Sequence, residues 1–373
     1  MQGKSVLVTG GAGFIGSHLV DTLLERGYEV RVFDNLEPQV HGEGRVPDYF
    51  NREAKFIRGD VRDREALSRA LEGVEVVFHH AAAVGVGQSM YEIRRYVETN
   101  TLGSANLLDI LANEKHKVER VVVASSMSIY GEGKYLCPDC GVIHPKLRPD
   151  EQLEERRWEM RCPHCGEEAK PEATDEDKPL YPSSIYAITK RSQEESFLCF
   201  GRAYGIPTVA LRYFNVYGPR QALSNPYTGV AAIFSARILN GHPPVVYEDG
   251  LQSRDFIHVQ DIVEASILAM EKADFEVFNV GTGRPLTVLE MARILIEKLG
   301  EGGLEPQIAG RYRRGDIRHC YADITKIQKR LGFQPRVKFE EGISDLIAWV
   351  SREEAIDRFQ KVEEELASKS LVV

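Results

Sequence analysis

Thr9-Gly10-Gly11-Ala12-Gly13-Phe14-Ile15-Gly16 is the stretch on which the predicted fold depends. The apolar run Ser5-Val6-Leu7-Val8 precedes it and predicts a short buried strand. After it, apolar positions recur at helical spacing up to residue 24, and Gly27 ends the predicted helix. The glycines therefore lie where a strand turns tightly into a helix, and backbone N–H groups there can approach a pyrophosphate. The alternative is an α/β turn that binds no phosphate.

Two acidic residues follow the next two predicted strands. Asp34 ends the strand 29–33, eighteen positions after Gly16. An acid at that place accepts hydrogen bonds from the adenosine ribose and repels a 2′-phosphate, so we expect NAD rather than NADP. Asp60 follows the strand 55–58 and is predicted either to hold the adenine amino group or to cap the helix at 63–71.

Alternation of strand and helix continues through the first part of the chain, with further strands at 74–80 and 120–124 and a long helix at about 92–114. This pattern predicts an α/β, Rossmann-type, doubly wound parallel sheet, in which ligands bind beyond the carboxyl ends of the strands. The residues expected to contact the cofactor are Gly10, Gly13, Phe14, Ile15, Gly16, Asp34, Asn35, Asp60, Val61, Ala81, Ala82, Asn100, Tyr186, Lys190 and Tyr213.

Composition excludes several classes of partner. The chain has 373 residues, enough for two domains, and its net charge of −9 comes without a basic cluster, which argues against nucleic acid. No apolar run is long enough to span a membrane, and the first strand leaves no room before it for a signal peptide. We therefore expect a cytoplasmic protein with no membrane partner.

Four of the six cysteines form two knuckles, Cys137-Pro138-Asp139-Cys140-Gly141 and Cys162-Pro163-His164-Cys165-Gly166. Each knuckle presents two thiolates to one ion, and four soft ligands suit a tetrahedral Zn²⁺. A closed set of four cysteines leaves no position for water, so the zinc is predicted to be structural rather than catalytic. The alternative is four unligated cysteines.

Tyr186 and Lys190 lie four residues apart on a helix predicted to run to about residue 204. A free phenol has a pKa near ~10, but a lysine ammonium one turn away and a positive nicotinamide ring favour the phenolate. The phenolate can then take a proton from a sugar hydroxyl that Ser126 holds from a neighbouring strand end. The alternative for such a pair is a solvated helix face.

Gly10-x-x-Gly13-x-x-Gly16, Asp34, Asp60, Ser126 and Tyr186-x-x-x-Lys190 together resemble the extended short-chain dehydrogenase/reductase family, over nearly the whole chain except the cysteine segment. Within it, stretches 211–220, 254–259 and 313–316 are similar to nucleotide-sugar 4-epimerases. The resemblance implies a nucleotide-diphosphate sugar as substrate, with Asn215, Arg254 and Arg313 on its diphosphate, Asp316 on its ribose and Ser126 on its sugar. The alternative for each arginine is a surface ion pair.

Met127 and Ser128 stand where dehydratases of this family carry an Asp-Glu pair. Their presence favours oxidation and re-reduction at one carbon, through a 4-keto sugar, over dehydration. Stretches 83–92, 221–229 and 315–320 are most similar to dTDP-L-rhamnose 4-epimerases, and a UDP-glucose/galactose type is also considered. The alternatives are a reductase or dehydrogenase with net redox turnover, and a regulatory protein with a retired active site. The resemblance further implies a homodimer through helices near Asn100 and Tyr186.

Sixty positions separate Ser126 from Tyr186, more than the family usually has, and the cysteine segment accounts for the surplus. We expect this segment, a grafted zinc ribbon, to lie beside the active site and to roof it or shape sugar choice. The predicted domains are an NAD-binding domain (1–133, 178–214 and 253–285), the zinc-ribbon insertion (134–177), a smaller C-terminal α/β nucleotide-sugar domain (215–252 and 286–350) and a helical tail (351–373).

Overall fold

A computed structural model describes residues 3–222, 229–300, 303–352, 357 and 359–373. Most of the 221–229 stretch, one of those similar to dTDP-L-rhamnose 4-epimerases, lies outside these residues. Among the described residues no helix combines the length and the apolar character needed to cross a membrane.

The elements follow one another along the whole chain. The strands are β1 (Ser5–Thr9), β2 (Glu29–Asp34), β3 (Lys55–Arg58), β4 (Val76–His79), β5 (Arg120–Ser126), β6 (Lys134–Cys137), β7 (Gly141–Ile143), β8 (Lys170–Glu172), β9 (Thr208–Tyr213), β10 (Asn215–Tyr217), β11 (Val245–Val246), β12 (Ser253–His258), β13 (Val277–Val280), β14 (Pro285–Thr287), β15 (Gln307–Ile308) and β16 (His319–Cys320). The helices are α1 (Phe14–Glu25), α2 (Pro38–His41), α3 (Arg64–Leu71), α4 (Val86–Ser89), α5 (Ile93–Tyr96), α6 (Gly103–Asn113), α7 (Asp150–Glu154), α8 (Ile185–Tyr204), α9 (Val230–Leu239), α10 (Val259–Lys272), α11 (Val288–Leu299), α12 (Thr325–Leu331), α13 (Phe339–Val350) and α14 (Phe359–Ser368).

Seven strands form the predicted parallel sheet, in the order β13-β9-β5-β4-β1-β2-β3. Every neighbouring pair in it is parallel, and β1 is buried along its whole length. Apolar clusters cover both faces, because side chains that alternate along each buried strand meet helices on either side. Strand order reverses at β1, so the crevice between β1 and β4 opens at the carboxyl edge, which confirms the predicted fold class.

The predicted helix at 92–114 is regular only at its two ends. Residues Val97–Leu102 form a π-helical segment between α5 and α6. Asn100 lies in this segment and is fully buried. Its position reflects the local widening of the helix, which the spacing of apolar residues does not signal.

A second, smaller unit carries β10, β11, β12, β14, β15 and β16. β12 pairs with β10 and β16 in parallel and with β14 antiparallel, and β11 pairs with β15. Within the segment 253–285, assigned from sequence to the NAD-binding domain, β12 therefore belongs to the small sheet and only β13 joins the large one. Thr287 and Glu290 form a capping box at the start of α11.

The segment 134–177, called the insert below, has its own antiparallel sheet in the order β7-β6-β8. A small core lies behind it and includes Tyr135, Met160 and two of the cysteines, Cys137 and Cys162. The insert is thus a folded module rather than an extended loop.

The C-terminal tail packs on the molecule. Its helix α14 matches the predicted helical character, and Leu366 is its one buried residue among those described. Beyond the helix, Val372 forms an antiparallel bridge with Arg313. Backbone hydrogen bonds join Tyr312 and Val373 in both directions, and the Arg314 N–H donates to the Leu371 carbonyl. The tail therefore adds a short strand beside the loop that carries Arg313.

Candidate active site

A cavity of about 650 Å³ runs from the glycine turn to the loop at 313–316. Nearly every residue predicted to bind cofactor or substrate lines it, although these residues are spread over more than 300 positions. The lining ones are Gly10, Gly13, Phe14, Ile15, Gly16, Asp34, Asn35, Asp60, Val61, Ala81, Ala82, Ser126, Tyr186, Lys190, Tyr213, Asn215, Arg254, Arg313 and Asp316.

The glycine turn needs its glycines for two different reasons. Gly10 has φ +70°, and a Cβ there would lie 2.8 Å from the backbone N of Ala81. A Cβ on Gly16 would lie 2.2 Å from the carbonyl oxygen of Gly10, so the helix could not approach the turn. Gly13 is the N-cap residue of α1, and no side chain caps the helix there. A Cβ on Gly13 would lie 3.4 Å from the nearest protein atom, which is an ordinary contact distance. The turn is therefore closed behind Gly10 and Gly16 and open at Gly13.

Asp34 is buried and holds the same turn. Its carboxylate accepts hydrogen bonds from the N–H of Ala12 at 3.0 Å and from the N–H of Leu36 at 2.9 Å. Each carboxylate oxygen can accept a further bond, so Asp34 can still receive the hydroxyls of a ribose.

Asp60 is not a helix cap, since Asp63 caps α3 by accepting from the N–H of Ala66. Instead, Asp60 accepts hydrogen bonds from Arg62 and from the side chain of Asn35, and it lines the cavity. Burial would raise its pKa, but these bonds lower the pKa below its usual value.

Asn100 was expected to contact the cofactor, but it does not line the cavity among the described residues. Its amide accepts from the N–H of Ala83 at 2.7 Å and donates to the Ala83 carbonyl and the Thr189 hydroxyl, both at 3.0 Å. Asn100 therefore ties the chain beyond β4 to helix α8 instead of facing a ligand.

Ser126, Tyr186 and Lys190 converge from the end of β5 and the first turns of α8, which Ser184 caps. Burial raises the pKa of Tyr186, whereas a hydrogen bond with Ser126 lowers it. Burial also lowers the pKa of Lys190 to about 7. Its amine donates to the Ala124 carbonyl at 2.8 Å and to the Gln193 side chain at 2.9 Å, so the predicted ammonium partner of the phenol is directed towards the end of β5.

Tyr213 closes the floor of the cavity at the end of β9. Its hydroxyl shares hydrogen bonds with Ser266 at 2.9 Å and with His80 at 3.3 Å. Burial lowers the pKa of His80 to about 3, so this ring is neutral at ordinary pH. The floor is therefore polar but uncharged.

The opposite end of the cavity carries Arg254 and Arg313. Arg254 donates to three backbone carbonyls, those of Ser253, Ile317 and Arg318, at 2.7–2.9 Å. Arg313 and Asp316, predicted to bind different parts of one ligand, pair with each other at 2.8 Å. Asn215 lines the same end, and its side-chain oxygen is buried with no partner among the described residues.

Other lining residues were not anticipated from sequence. They come from the segments 84–90 and 245–252 and from the tail: Val84, Gly85, Met90, Tyr247, Phe359, Leu366 and Leu371. For the tail, the only signal is a few apolar residues in a charged segment, which fits a packed helix as well as a frayed one. By contrast, no described residue of the insert lines the cavity, so the expectation that it roofs the site is wrong.

The four knuckle cysteines come together at one end of the insert. Their sulfur atoms all lie within 4.8 Å of one another, and Cys137 Sγ is 3.4 Å from Cys165 Sγ. A tetrahedral Zn²⁺ with ~2.3 Å bonds places its sulfur ligands about 3.8 Å apart, so the cluster has the dimensions of such a site. The glycines after each knuckle, Gly141 and Gly166, take positive φ as tight turns require.

Two family models match the chain. That of the NAD dependent epimerase/dehydratase family matches residues 6–150, and that of GDP-mannose 4,6 dehydratase matches residues 166–346. A dTDP-L-rhamnose 4-epimerase of Burkholderia thailandensis is 35% identical over 95% of this chain and 96% of its own length. The chain belongs to the extended short-chain dehydrogenase/reductase family of NAD-dependent epimerases and dehydratases. The stretch between the two matched regions lies within the insert.

Solved structures of this family are similar along nearly the full length. A UDP-glucose 4-epimerase from Thermotoga maritima, solved with UDP-glucose, has a TM-score of 0.75 and 37% identity, covering 93% of this chain and 99% of that one. A UDP-glucose 4-epimerase from Thermus thermophilus, solved with NAD, has a TM-score of 0.73 and 33% identity with the same coverage.

The residues of this chain fit an NAD molecule. The open turn at Gly13 and the uncapped start of α1 offer N–H groups to a diphosphate, and Asp34 offers acceptors to a ribose. The small residues Ala81 and Ala82 after β4 leave room beside Tyr186 for a flat ring. When bound there, NAD supplies a hydride acceptor and donor.

Proposed function

We propose that this protein is an NAD-dependent nucleotide-sugar 4-epimerase acting on a dTDP- or UDP-hexose. The observation that carries the proposal is one cavity that holds a dinucleotide turn at one end, arginines at the other, and Ser126, Tyr186 and Lys190 between them. The named epimerases among its relatives support this reaction over a reductase with net redox turnover, because an epimerase returns the hydride that it removes.

The chain's own residues divide the work. Tyr186 would take the proton of the 4-hydroxyl while carbon 4 gives up a hydride, for which bound NAD would be the acceptor. After the 4-keto sugar has rotated in the pocket and carbon 4 has regained the hydride on its opposite face, Tyr186 would return the proton to the 4-oxygen. Ser126 orients the sugar oxygen and hydrogen-bonds the phenol. Lys190, fixed by Ala124 and Gln193, supplies the nearby positive charge when protonated.

Arg254 and Arg313 neutralise the diphosphate. Asp316 and Asn215, whose side-chain oxygen has no partner among the described residues, accept hydrogen bonds at that end of the substrate. The nucleotide is therefore held by charge while the hexose is held loosely enough to rotate.

The test is incubation with a panel of dTDP- and UDP-hexoses without added cofactor, read by NMR at carbon 4. We expect inversion in the wild type and a loss of about 100-fold or more in Tyr186→Phe, since the variant keeps the ring but lacks the proton acceptor. The matched control is Tyr204→Phe, an exposed tyrosine at the far end of the same helix. Turnover that requires added NADH would contradict the epimerase and favour the reductase.

We also propose that Cys137, Cys140, Cys162 and Cys165 bind a structural Zn²⁺. Their dimensions and the closed set of four thiolates support this. Elemental analysis of the purified protein should find one zinc per chain, lost in the double variant Cys137→Ser/Cys162→Ser and kept in Cys199→Ser. Full zinc content in the double variant would refute the assignment.

A homodimer is the third part of the proposal. Ile93, Val97, Leu102 and Ile188, on the helices named from sequence, are 42–50% exposed apolar residues. Burial of this face against a second copy would remove them from water. Sedimentation of the wild type and of Leu102→Glu tests the proposed homodimer. A wild type that sediments as a monomer would contradict it.

A further inference from the structure

The insert contacts the substrate end of the cavity from outside the cavity wall, through one buried ion pair and one half-buried ionic cluster. Arg148 of the insert is almost fully buried and pairs with both oxygens of Glu248, at 2.8 and 3.0 Å. The same guanidinium reaches the backbone carbonyl of Asp316 at 3.5 Å. An insert residue is therefore in contact with the loop that carries Arg313 and Asp316.

Glu159 makes the second contact, through Arg318 and His319. Arg318 is fully buried and donates to Glu159 as well as to Glu248 and Asp249. The other oxygen of Glu159 lies 3.0 Å from Nε2 of His319. Burial would raise the pKa of Glu159, but its bonds from His319 and Arg318 lower it to about 2, so it is ionised at neutral pH.

Arg254 depends on the backbone at 317–319, which Glu132 and β12 hold and whose Arg318 and His319 side chains Glu159 contacts. Two of its three carbonyl acceptors belong to Ile317 and Arg318. The third belongs to Ser253, whose N–H and hydroxyl both bond Nδ1 of His319. A shift of the 317–319 backbone would therefore move every acceptor that orients Arg254.

The backbone at Glu248 is also held in an unusual conformation. Glu248 has φ +53°, which non-glycine residues rarely adopt, and its N–H donates to the Arg311 carbonyl at 2.7 Å. Its neighbour Tyr247 lines the cavity, and the Arg313 guanidinium lies 4.9 Å from the Tyr247 ring centre. Such strain persists only where surrounding contacts hold it, and here Arg148 and Arg318 supply them.

We infer that Arg148 and Glu159 of the insert are positioning residues for the nucleotide-diphosphate end of the substrate. They act through Glu248, Arg318 and His319 to hold Arg254 and the 313–316 loop, and they touch no ligand themselves. This inference rests on the proposed function. It assigns the insert a role in substrate affinity although no described residue of the insert lines the cavity.

The experiment compares Glu159→Gln and Arg148→Met with two matched controls in the insert, Glu168→Gln and Arg157→Met, whose side chains are exposed. UDP and dTDP binding is measured by calorimetry on the NAD-containing protein, and kcat and KM are measured with the sugar that the wild type inverts. We expect about tenfold weaker binding of the nucleotide and a similar rise in KM in the two variants, with kcat within about twofold. The controls should match the wild type.

NAD content and thermal melting separate positioning from loss of structure. If either variant loses NAD and kcat together with melting temperature, the network supports the fold as a whole and the inference is overturned. Unchanged nucleotide binding in both variants also overturns it, while the proposed function stands if the wild type still inverts its sugar. A wild type that binds neither nucleotide and inverts no sugar would instead refute the proposed function.

Discussion

At the cofactor end of the cavity, β1, the glycine turn and α1 follow one another within twenty-one residues, whereas the substrate end joins Asn215, Arg254, Arg313 and the tail from separate segments. The first end is shaped by local steric limits, such as the 2.2 Å approach that excludes any side chain at Gly16. The second is shaped by carbonyl acceptors and ion pairs between distant segments. Substitutions should therefore act through the local turn at one end and through distant contacts at the other.

The largest effect is expected at the glycine turn. In Gly16→Ala the new Cβ would collide with the Gly10 carbonyl, so NAD affinity should fall by at least about 100-fold and the NAD-free protein should melt earlier. In Gly13→Ala, φ is −75° and the Cβ has room, so the NAD-free protein should melt as the wild type does. The added methyl should still weaken NAD binding, because it occupies the open face of the turn.

Fluorescence titration with NAD and thermal melting of the NAD-free proteins check both variants. If Gly16→Ala binds NAD as tightly as the wild type, local steric limits do not shape the cofactor end. The proposed difference between the two ends of the cavity would then be wrong.

An intermediate effect is expected in the tail. Leu366 is buried, lies beside Gly87 and lines the cavity, and Val372 further along the tail pairs with Arg313. In Leu366→Asp a buried charge should detach α14, which should raise KM for the nucleotide sugar about tenfold without changing NAD content.

Ala367→Asp adds the same charge at an exposed position of the same helix and serves as the control. Steady-state kinetics and the absorbance of bound NAD give the two readouts. An unchanged KM in a Leu366→Asp protein whose tail has become sensitive to protease would show that the tail is not part of the substrate end.

A pH-dependent effect on protein stability, rather than on ligand binding, is expected at Lys190, which lies between the two ends. Burial lowers its folded-state pKa to about 7, well below the ~10.4 of an unfolded lysine. Between these values the unfolded chain binds a proton that the folded chain lacks, so the amine's destabilising contribution is largest below pH 7 and fades as pH rises towards 10. The free energy of unfolding of the NAD-free wild type should therefore rise relative to Lys190→Met by up to about 1.4 kcal/mol per pH unit.

Urea titrations of both proteins at pH 6.5, 8 and 9.5 measure this difference in slope. The two hydrogen bonds that the variant also loses shift its stability by a similar amount at each pH, so they do not affect the slope. Parallel stabilities of the two proteins over this range would mean that Lys190 stays charged in the folded state.

The residues predicted for both ends of the cavity line it, with Asn100 at the cofactor end as the exception. Asp34 was identified by its place after β2, and it lies in the cavity and holds the turn. Asn100 was assigned wrongly, because helical position alone does not tell whether an amide faces a ligand or Ala83. The prediction that the insert roofs the cavity was also wrong. The number of inserted residues does not show on which side of the active site the insert packs, and here Arg148 and Glu159 attach it outside the cavity wall.

The sequence by itself determined the parallel sheet, the glycine turn, the Tyr186–Lys190 pair on α8 and each cysteine knuckle, because each depends on periodicity or spacing over a few residues. Tertiary structure alone decided that the tail lines the cavity, that Asn100 contacts Ala83 and Thr189, and that the insert contacts Glu248 and Arg318. Those contacts join segments far apart in the chain, and their partners are chosen by the packing of whole elements rather than by any local pattern.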